Sequence, residues 1–174
     1  MTTVLKIAQL GNPILRLKAQ PVTQITDHGV SQLIDCLIAT ANSTKGVGIA
    51  APQVSQSCRL FIVASHPSDR YPDAPKMQTI AMINPQIINH NDKIVKDWEG
   101  CLSIPGIRGL VPRYQQIEVE YTNKDGQLQH QILTDFVARI FQHELDHLDG
   151  KLFIDRIINE EDIYTEAEYQ SINS

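Results

Sequence analysis

The segment Gln142-His143-Glu144-Leu145-Asp146-His147 constrains the fold more than any other stretch of the chain. It carries the pattern H-E-x-x-H. Two histidines four residues apart share one face if the segment is helical. Their imidazoles then reach one point, which makes half of a tetrahedral metal site. The fold has to be built around that helix, with another segment bringing a further ligand to it. Glu144 follows the first histidine directly and can reach a water held on the metal. Such a water with a carboxylate base beside it is the minimum apparatus for hydrolysing an acyl bond. The segment therefore points to a metallohydrolase.

The 174 residues fit a single catalytic domain, 1–174, large enough to bury its own core. The composition, 42% hydrophobic and 20% charged, is that of an ordinary soluble globular chain. Apolar runs such as 60–64 are far too short to span a bilayer, so no membrane partner is expected. The start, Met1-Thr2-Thr3-Val4-Leu5-Lys6, lacks the long apolar core of a signal peptide and the Arg- and Ser-rich character of a transit peptide. A net charge of -5 with no long basic run argues against direct nucleic-acid binding. The cysteines are Cys36, Cys58 and Cys101, an odd number without a secretion signal, which predicts a reducing cytoplasm. Cys36 and Cys58 read as small buried hydrophobes or inert thiols.

Val30, Leu33, Ile34, Leu37, Ile38 and Ala41 make one apolar stripe and predict a first helix, capped by Asp27 or Ser31 and ending before Gly46. Residues 59–64 and 80–83 read as strands. Between them, 65–76 reads as a surface loop with a solvated His66. Ile117, Val119 and Tyr121 alternate with Glu118, Glu120 and Thr122, the period of a half-buried strand. Lys124-Asp125-Gly126 turns that strand into a partner at 127–134. The second helix should run from about 135 to 147, with Gly150 as its stop. An acidic third helix is expected at about 160–170, capped by Asn159. The fold class is α+β: short antiparallel strands and hairpins packed around the central helix, with a further N-terminal and C-terminal helix.

A catalytic metal site usually takes a third protein ligand and leaves one place for water. The longer metzincin pattern places a third histidine where this chain has Phe153, which cannot ligate. A glutamate on a later helix, Glu166 or Glu168, is a second candidate, in a segment where carboxylates are common anyway. Cys101, in Trp98-Glu99-Gly100-Cys101-Leu102-Ser103, is the third. A further segment, Gly46-Val47-Gly48-Ile49-Ala50-Ala51-Pro52-Gln53, is small enough for close backbone approach and offers an amide donor in Gln53.

Together the three segments resemble the peptide deformylase family, which carries G-x-G-x-A-A-x-Q, E-G-C-L-S and Q-H-E-x-D-H in this order. Gly11-Asn12-Pro13-Ile14-Leu15-Arg16, Val111-Pro112-Arg113 and Gly150-x-Leu152-Phe153 extend the resemblance over about 7–156. It implies removal of the formyl group from the N-terminal methionine of newly made proteins, with release of formate. By motif it makes Cys101, His143 and His147 the metal ligands and Glu144 the base. Gln53 and the Leu102 backbone N–H become the oxyanion donors. One divalent ion is implied, typically Fe(2+), with Zn(2+), Ni(2+) or Co(2+) able to replace it. Nascent N-formylmethionyl peptides are the implied partners, together with a transient ribosome contact. In some members a basic C-terminal helix makes that contact; here residues 159–166 are acidic.

Phe136, Ile140, His143 and His147 fall on one helical face. Phe136 and Ile140, with the aliphatic stem of Arg139, are therefore expected to line a pocket for the methionine side chain. Val47 and Gly48 would offer backbone hydrogen bonds to the substrate as an added edge strand does. Glu99 is expected to brace the Cys101 segment through Arg113. Asp146 is expected to orient a histidine or pair with an arginine. The rival readings are a small zinc endopeptidase using Glu166 and a non-catalytic metal-binding module.

Overall fold

The computed structural model describes residues 2–173. In chain order the elements are α1 (His28–Thr44), β1 (Gly48–Ala50), β2 (Leu60–Val63), β3 (Ile80–His90), β4 (Ile94–Cys101) and β5 (Ile104–Tyr114). They continue with β6 (Gln116–Thr122), β7 (Leu128–Thr134), α2 (Asp135–Leu148), β8 (Ile163–Thr165) and α3 (Glu166–Ile172). One antiparallel sheet has the order β1-β2-β3-β6-β7, and a second has the order β4-β5-β8.

Strand β2 shows how the layers arise. Side chains alternate across a strand. Leu60 and Ile62 point to one face and pack with Ile34, Leu37 and Ala41 of α1. Phe61 and Val63 point to the other and pack with Ala138, Ile140, Phe141 and Leu148 of α2. All four β2 residues are fully buried, each contributing about 1.5–3 kcal/mol by leaving water. The larger sheet thus lies between α1 and α2, and α2 is central. Phe61 and Phe141 meet edge to face with centroids 5.2 Å apart, a favoured aromatic geometry. The smaller sheet closes the far side of α2 over a third cluster that includes Ile104, Val111, Leu152 and Phe153.

The α1 stripe is buried or half-buried as expected, and its cap is Asp27, whose side chain accepts from the Gly29 N–H. Lys45 takes the left-handed turn at its end, with Gly46 following. The hairpin of β6 and β7 and the span of α2 also agree with the sequence. Gly150, at φ 70, adopts the conformation that ends helices.

Several expectations need correction. The strand expected at 80–83 continues to His90, where β6 pairs with it. Strands β4 and β5 break the usual alternation with Gly100, Pro105, Gly106, Gly109 and Pro112. The third helix does not begin at residue 160. Glu160–Asp162 is a 3-10 turn, and Ile163–Thr165 pairs with β5, whose edge captures the chain first. The helix then starts at Glu166, with Thr165 as cap and Glu168 closing a capping box. His66 is not free in water, because its Nδ1 lies 2.7 Å from the Ala64 carbonyl oxygen.

Candidate metal centre

Helix α2 and the end of β4 make the site. Cys101 closes β4, and its backbone pairs with Ile104 across a two-residue turn. This sets the thiol against the helix. Ligand atoms of Cys101, His143 and His147 all lie within 4.8 Å of one another, and all three are buried. Cys101 Sγ is 3.3 Å from His147 Nε2. His143 turns Nδ1 toward Glu99 Oε2, 2.8 Å away. A carboxylate there favours the proton on Nδ1 and leaves Nε2 as the free lone pair.

The electrostatics favour a cation. Burial by itself would raise the Cys101 thiol, but His147 and His143 hold it well below the ordinary thiol range. Burial likewise opposes ionisation of Glu99, yet Arg113 and His143 keep it well below the usual carboxylate range. Two buried anions therefore flank His143 and raise it, against the effect of its burial. A thiolate and two imidazoles suit several first-row divalent ions. The donor set, its burial and its charge all fit such an ion.

Glu144 sits on the same helix, turned into the cavity and 4% exposed. Its Oε2 and the Nδ1 of His147 are buried with no hydrogen-bond partner among the described residues. An unpaired buried carboxylate oxygen beside a cation site is well placed to work on a water or a substrate. Burial pushes the Glu144 carboxyl up to about 7. A cation at the neighbouring donors would draw it back toward the ionised form.

Gln53 approaches from the opposite wall. Its Oε1 accepts from the Ala50 N–H at 2.9 Å, which fixes the amide orientation. Its Nε2 then faces Ser103 Oγ at 3.2 Å and Cys101 Sγ at 3.5 Å. Leu102 lines the same cavity. Strand β1 forms an edge of the larger sheet. The Ala64 N–H donates to Val47 C=O at 2.8 Å, so the Val47 carbonyl is taken within the sheet rather than offered to a substrate as expected, and by antiparallel alternation Gly48 turns its own N–H and C=O outward. Gly48 also has to be glycine, because a Cβ there would lie 2.5 Å from Glu144 Oε1 and 2.9 Å from Ile140 Cγ2. Gly48→Ala should therefore displace the Glu144 carboxylate without touching the three donors. Metal content measured by elemental analysis should hold, while kcat falls by at least roughly tenfold. Unchanged turnover would show that the carboxylate tolerates the shift.

Phe136, Arg139 and Ile140 line the cavity beside these groups. The Arg139 head does more than follow its stem. It donates to Glu99 Oε1 at 2.9 Å and to the carbonyls of Val111 and Val95 at 2.8 and 2.7 Å, tying α2 to both strands of the hairpin. Glu99 meets Arg113 through two bonds of 2.8 and 3.0 Å, as the sequence suggested. Asp146 pairs with arginines: Arg113 on one side and Arg156 on the other, each at 2.6 Å. Buried ion pairs of this kind are costly to break from one side. Arg156 had no sequence signal, since its partner lies ten residues back across a turn. Glu166 is not a ligand. It binds Arg108 at 2.8 Å, so the endopeptidase reading loses its third donor. Cys36 is buried and Cys58 half-buried, both as free thiols outside the cluster.

Comparison with known proteins places the chain in a family. Residues 4–162 match the family model described as polypeptide deformylase. Peptide deformylase 2 of a Nostoc species is 64% identical over 169 residues, covering 97% of this chain and 94% of the relative. Peptide deformylase 2 of Shewanella oneidensis is 49% identical over 152 residues, 87% of this chain and 83% of that one. Among solved structures, a Met-Ala-Ser-bound class I type b peptide deformylase from Acinetobacter baumannii superposes with a TM-score of 0.89 at 45% identity, covering 90% of this chain and all (100%) of that one. A peptide deformylase from Thermotoga maritima gives 0.80 at 37% identity, over 90% and 99% of the two chains. The family match over residues 4–162, with a relative 64% identical over nearly the whole of both chains and the same fold in solved members, means that this protein belongs to the peptide deformylase family and is a hydrolase that removes the formyl group from N-terminal methionine.

Proposed function

We propose that Cys101, His143 and His147 hold one divalent ion, and that residues 1–174 act as a single catalytic domain around it. The convergence of these three buried donors beside the unpaired carboxylate of Glu144 carries the reading. Fe(2+) is the proposed native ion, with Zn(2+), Ni(2+) and Co(2+) as alternatives the same donors accept. When bound, the ion supplies Lewis-acid polarisation and acidifies water.

Glu144 takes the proton of the attacking water as the C–O bond forms at the formyl carbon. It then delivers that proton to the departing amine nitrogen as the C–N bond breaks, giving formate and a free N-terminus. The Gln53 amide and the Leu102 N–H donate to the oxyanion, and one such donor is typically worth about 3 kcal/mol. Gly48, on the open edge of β1, pairs with the substrate backbone, and Val47 flanks it. Phe136, Ile140 and the Arg139 stem receive the methionine side chain. The likeness to a solved deformylase holding Met-Ala-Ser supports a peptide with that first residue.

The proposed setting is the cytoplasm, on nascent chains, with a transient ribosome contact. No described helix is long and apolar enough to cross a membrane. The acidic tail is engaged on β5 and Arg108, so such a contact would use another surface. Formate release measured beside internal peptide-bond cleavage tests the reaction; cleavage without formate would overturn it.

The pocket makes its own prediction. Formyl-Met peptides should exceed formyl-Gly peptides in kcat/KM by at least roughly tenfold, the worth of one buried apolar side chain. Ile140→Asp should shrink that gap while metal content stays constant. Equal rates for the two peptides in the wild type would make this helix face plain core.

A further inference from the structure

The mouth of the cavity contains a chain of contacts that the deformylation chemistry does not require. Tyr71 belongs to the connection between β2 and β3. That connection is pinned at both ends: Ser65 Oγ donates to the Pro75 carbonyl at 2.6 Å, and the Met77 N–H donates to Ser65 C=O at 3.1 Å. At its tip, Ser68 and Tyr71 exchange backbone hydrogen bonds of 3.1 and 3.0 Å. Pro72 and Pro75 restrict the chain further. Tyr71 is thus held on a rigid turn.

Its ring lies against Phe136, with centroids 5.0 Å apart and planes tilted by 50°, and both rings line the cavity. Its hydroxyl accepts from Arg108 Nη1 at 3.2 Å. Arg108 is 2% exposed and sits directly beneath Gly100, where a Cβ would strike it at 2.5 Å. A guanidinium so deeply placed needs a charge partner. Glu166, the first residue of α3, supplies one at 2.8 Å. The rings of Tyr71 and Tyr169 flank the cation at 5.9 and 5.0 Å. The acidic C-terminal segment therefore reaches the cavity through Arg108.

We infer that Tyr71 is a specificity-determining residue whose ring forms the outer wall of the side-chain pocket, and that Arg108 and Glu166 are positioning residues that hold it there. This rests on the reading of Phe136 and Ile140 as the methionine pocket. Two tilted rings suit a flexible, polarisable thioether, which packs well at aromatic edges. A shorter side chain would not reach the outer ring, so the second ring rewards methionine over alanine.

The test uses metal-loaded wild type, Tyr71→Ala, Tyr71→Leu and Glu166→Gln. For each, kcat and KM are measured with formyl-Met-Ala-Ser and formyl-Ala-Ala-Ser. Tyr71→Ala should raise KM for the formyl-Met peptide by roughly tenfold, with kcat within about twofold and the formyl-Ala peptide little affected. Tyr71→Leu keeps apolar bulk and should lose roughly threefold, which also covers the case of an unfolded alanine variant. Glu166→Gln should raise the same KM by about two- to threefold, with metal content unchanged. Trp98, the single tryptophan, lines the cavity and packs on Tyr164 and Tyr169 at 4.8 and 4.9 Å. Its fluorescence should report weaker Met-Ala-Ser binding by the same factor as KM. A wild type that discriminates while both Tyr71 variants keep its Met-to-Ala ratio would overturn the inference alone. Equal losses on both peptides would also overturn it. A wild type with no discrimination would instead remove the pocket reading and the inference together.

Discussion

Cys101→Ala is expected to purify with little or no bound metal and with deformylation reduced to background. Three donors within 4.8 Å of one another form the cluster, and the thiolate is its only anionic member. Its removal leaves two imidazoles on a helix and takes away the negative charge that the cation would neutralise. Loss of one ligand from a three-donor site also loses the geometry that selects the ion. The fold should survive, because β4 and β5 pair through their backbones and Arg139 and Arg113 still tie them to α2. Elemental analysis beside circular dichroism separates lost metal from lost structure. Glu166→Ala serves as the control and should keep its metal, since Glu166 lies on Arg108 rather than at the cluster. Full metal content in the Cys101 variant would sink the ligand assignment.

What could be read in the chain depended on how local the physics was. The spacing of His143 and His147 on one helix is a local matter, and the structure places both at the cluster. The β6–β7 hairpin and the α1 stripe are local too, and both hold. Cys101 was only one of several third-ligand candidates from residue chemistry. It became distinct through the ordered motifs of the family, because the chain runs through residues 102–134 before it reaches the helix that Cys101 meets. The β4–β5 hairpin escaped because its prolines, glycines and inward arginines break the period that marks a strand. Those same arginines bury their heads against Glu99, nearby in the chain, and against Asp146 and Glu166, which are 33 and 58 residues from their partners. The Glu99–Arg113 pair, 14 residues apart, was legible, whereas no short window contains Arg113 with Asp146 or Arg108 with Glu166. The C-terminal boundary failed for a related reason. Local acidity and helix propensity suggested one helix from residue 160, but the free edge of β5 claimed residues 163–165. Thr165-x-x-Glu168 has the capping-box pattern, and the structure puts the true helix start there rather than at Asn159.

Glu144→Gln is expected to keep its metal and lose turnover by about 10²-fold or more. The amide matches the carboxylate in size, so the close approach to Gly48 is retained. The donors Cys101, His143 and His147 are untouched, so metal content should equal that of the wild type. What disappears is a group that can accept a proton from water and hand it to the leaving nitrogen. The variant also removes a buried acid with one oxygen left unpaired, so its melting temperature should hold or rise. That direction separates a proton-transfer role from a structural one, since loss of a structural carboxylate would lower stability along with activity. KM for a formyl-Met peptide should change little, because the proposed methionine pocket and the β1 edge are intact. Single-turnover formate release, measured on samples of equal metal content, gives the cleanest reading. Near-normal release from this variant would remove Glu144 from the mechanism and leave Gln53, Leu102 and the bound ion to account for the whole rate.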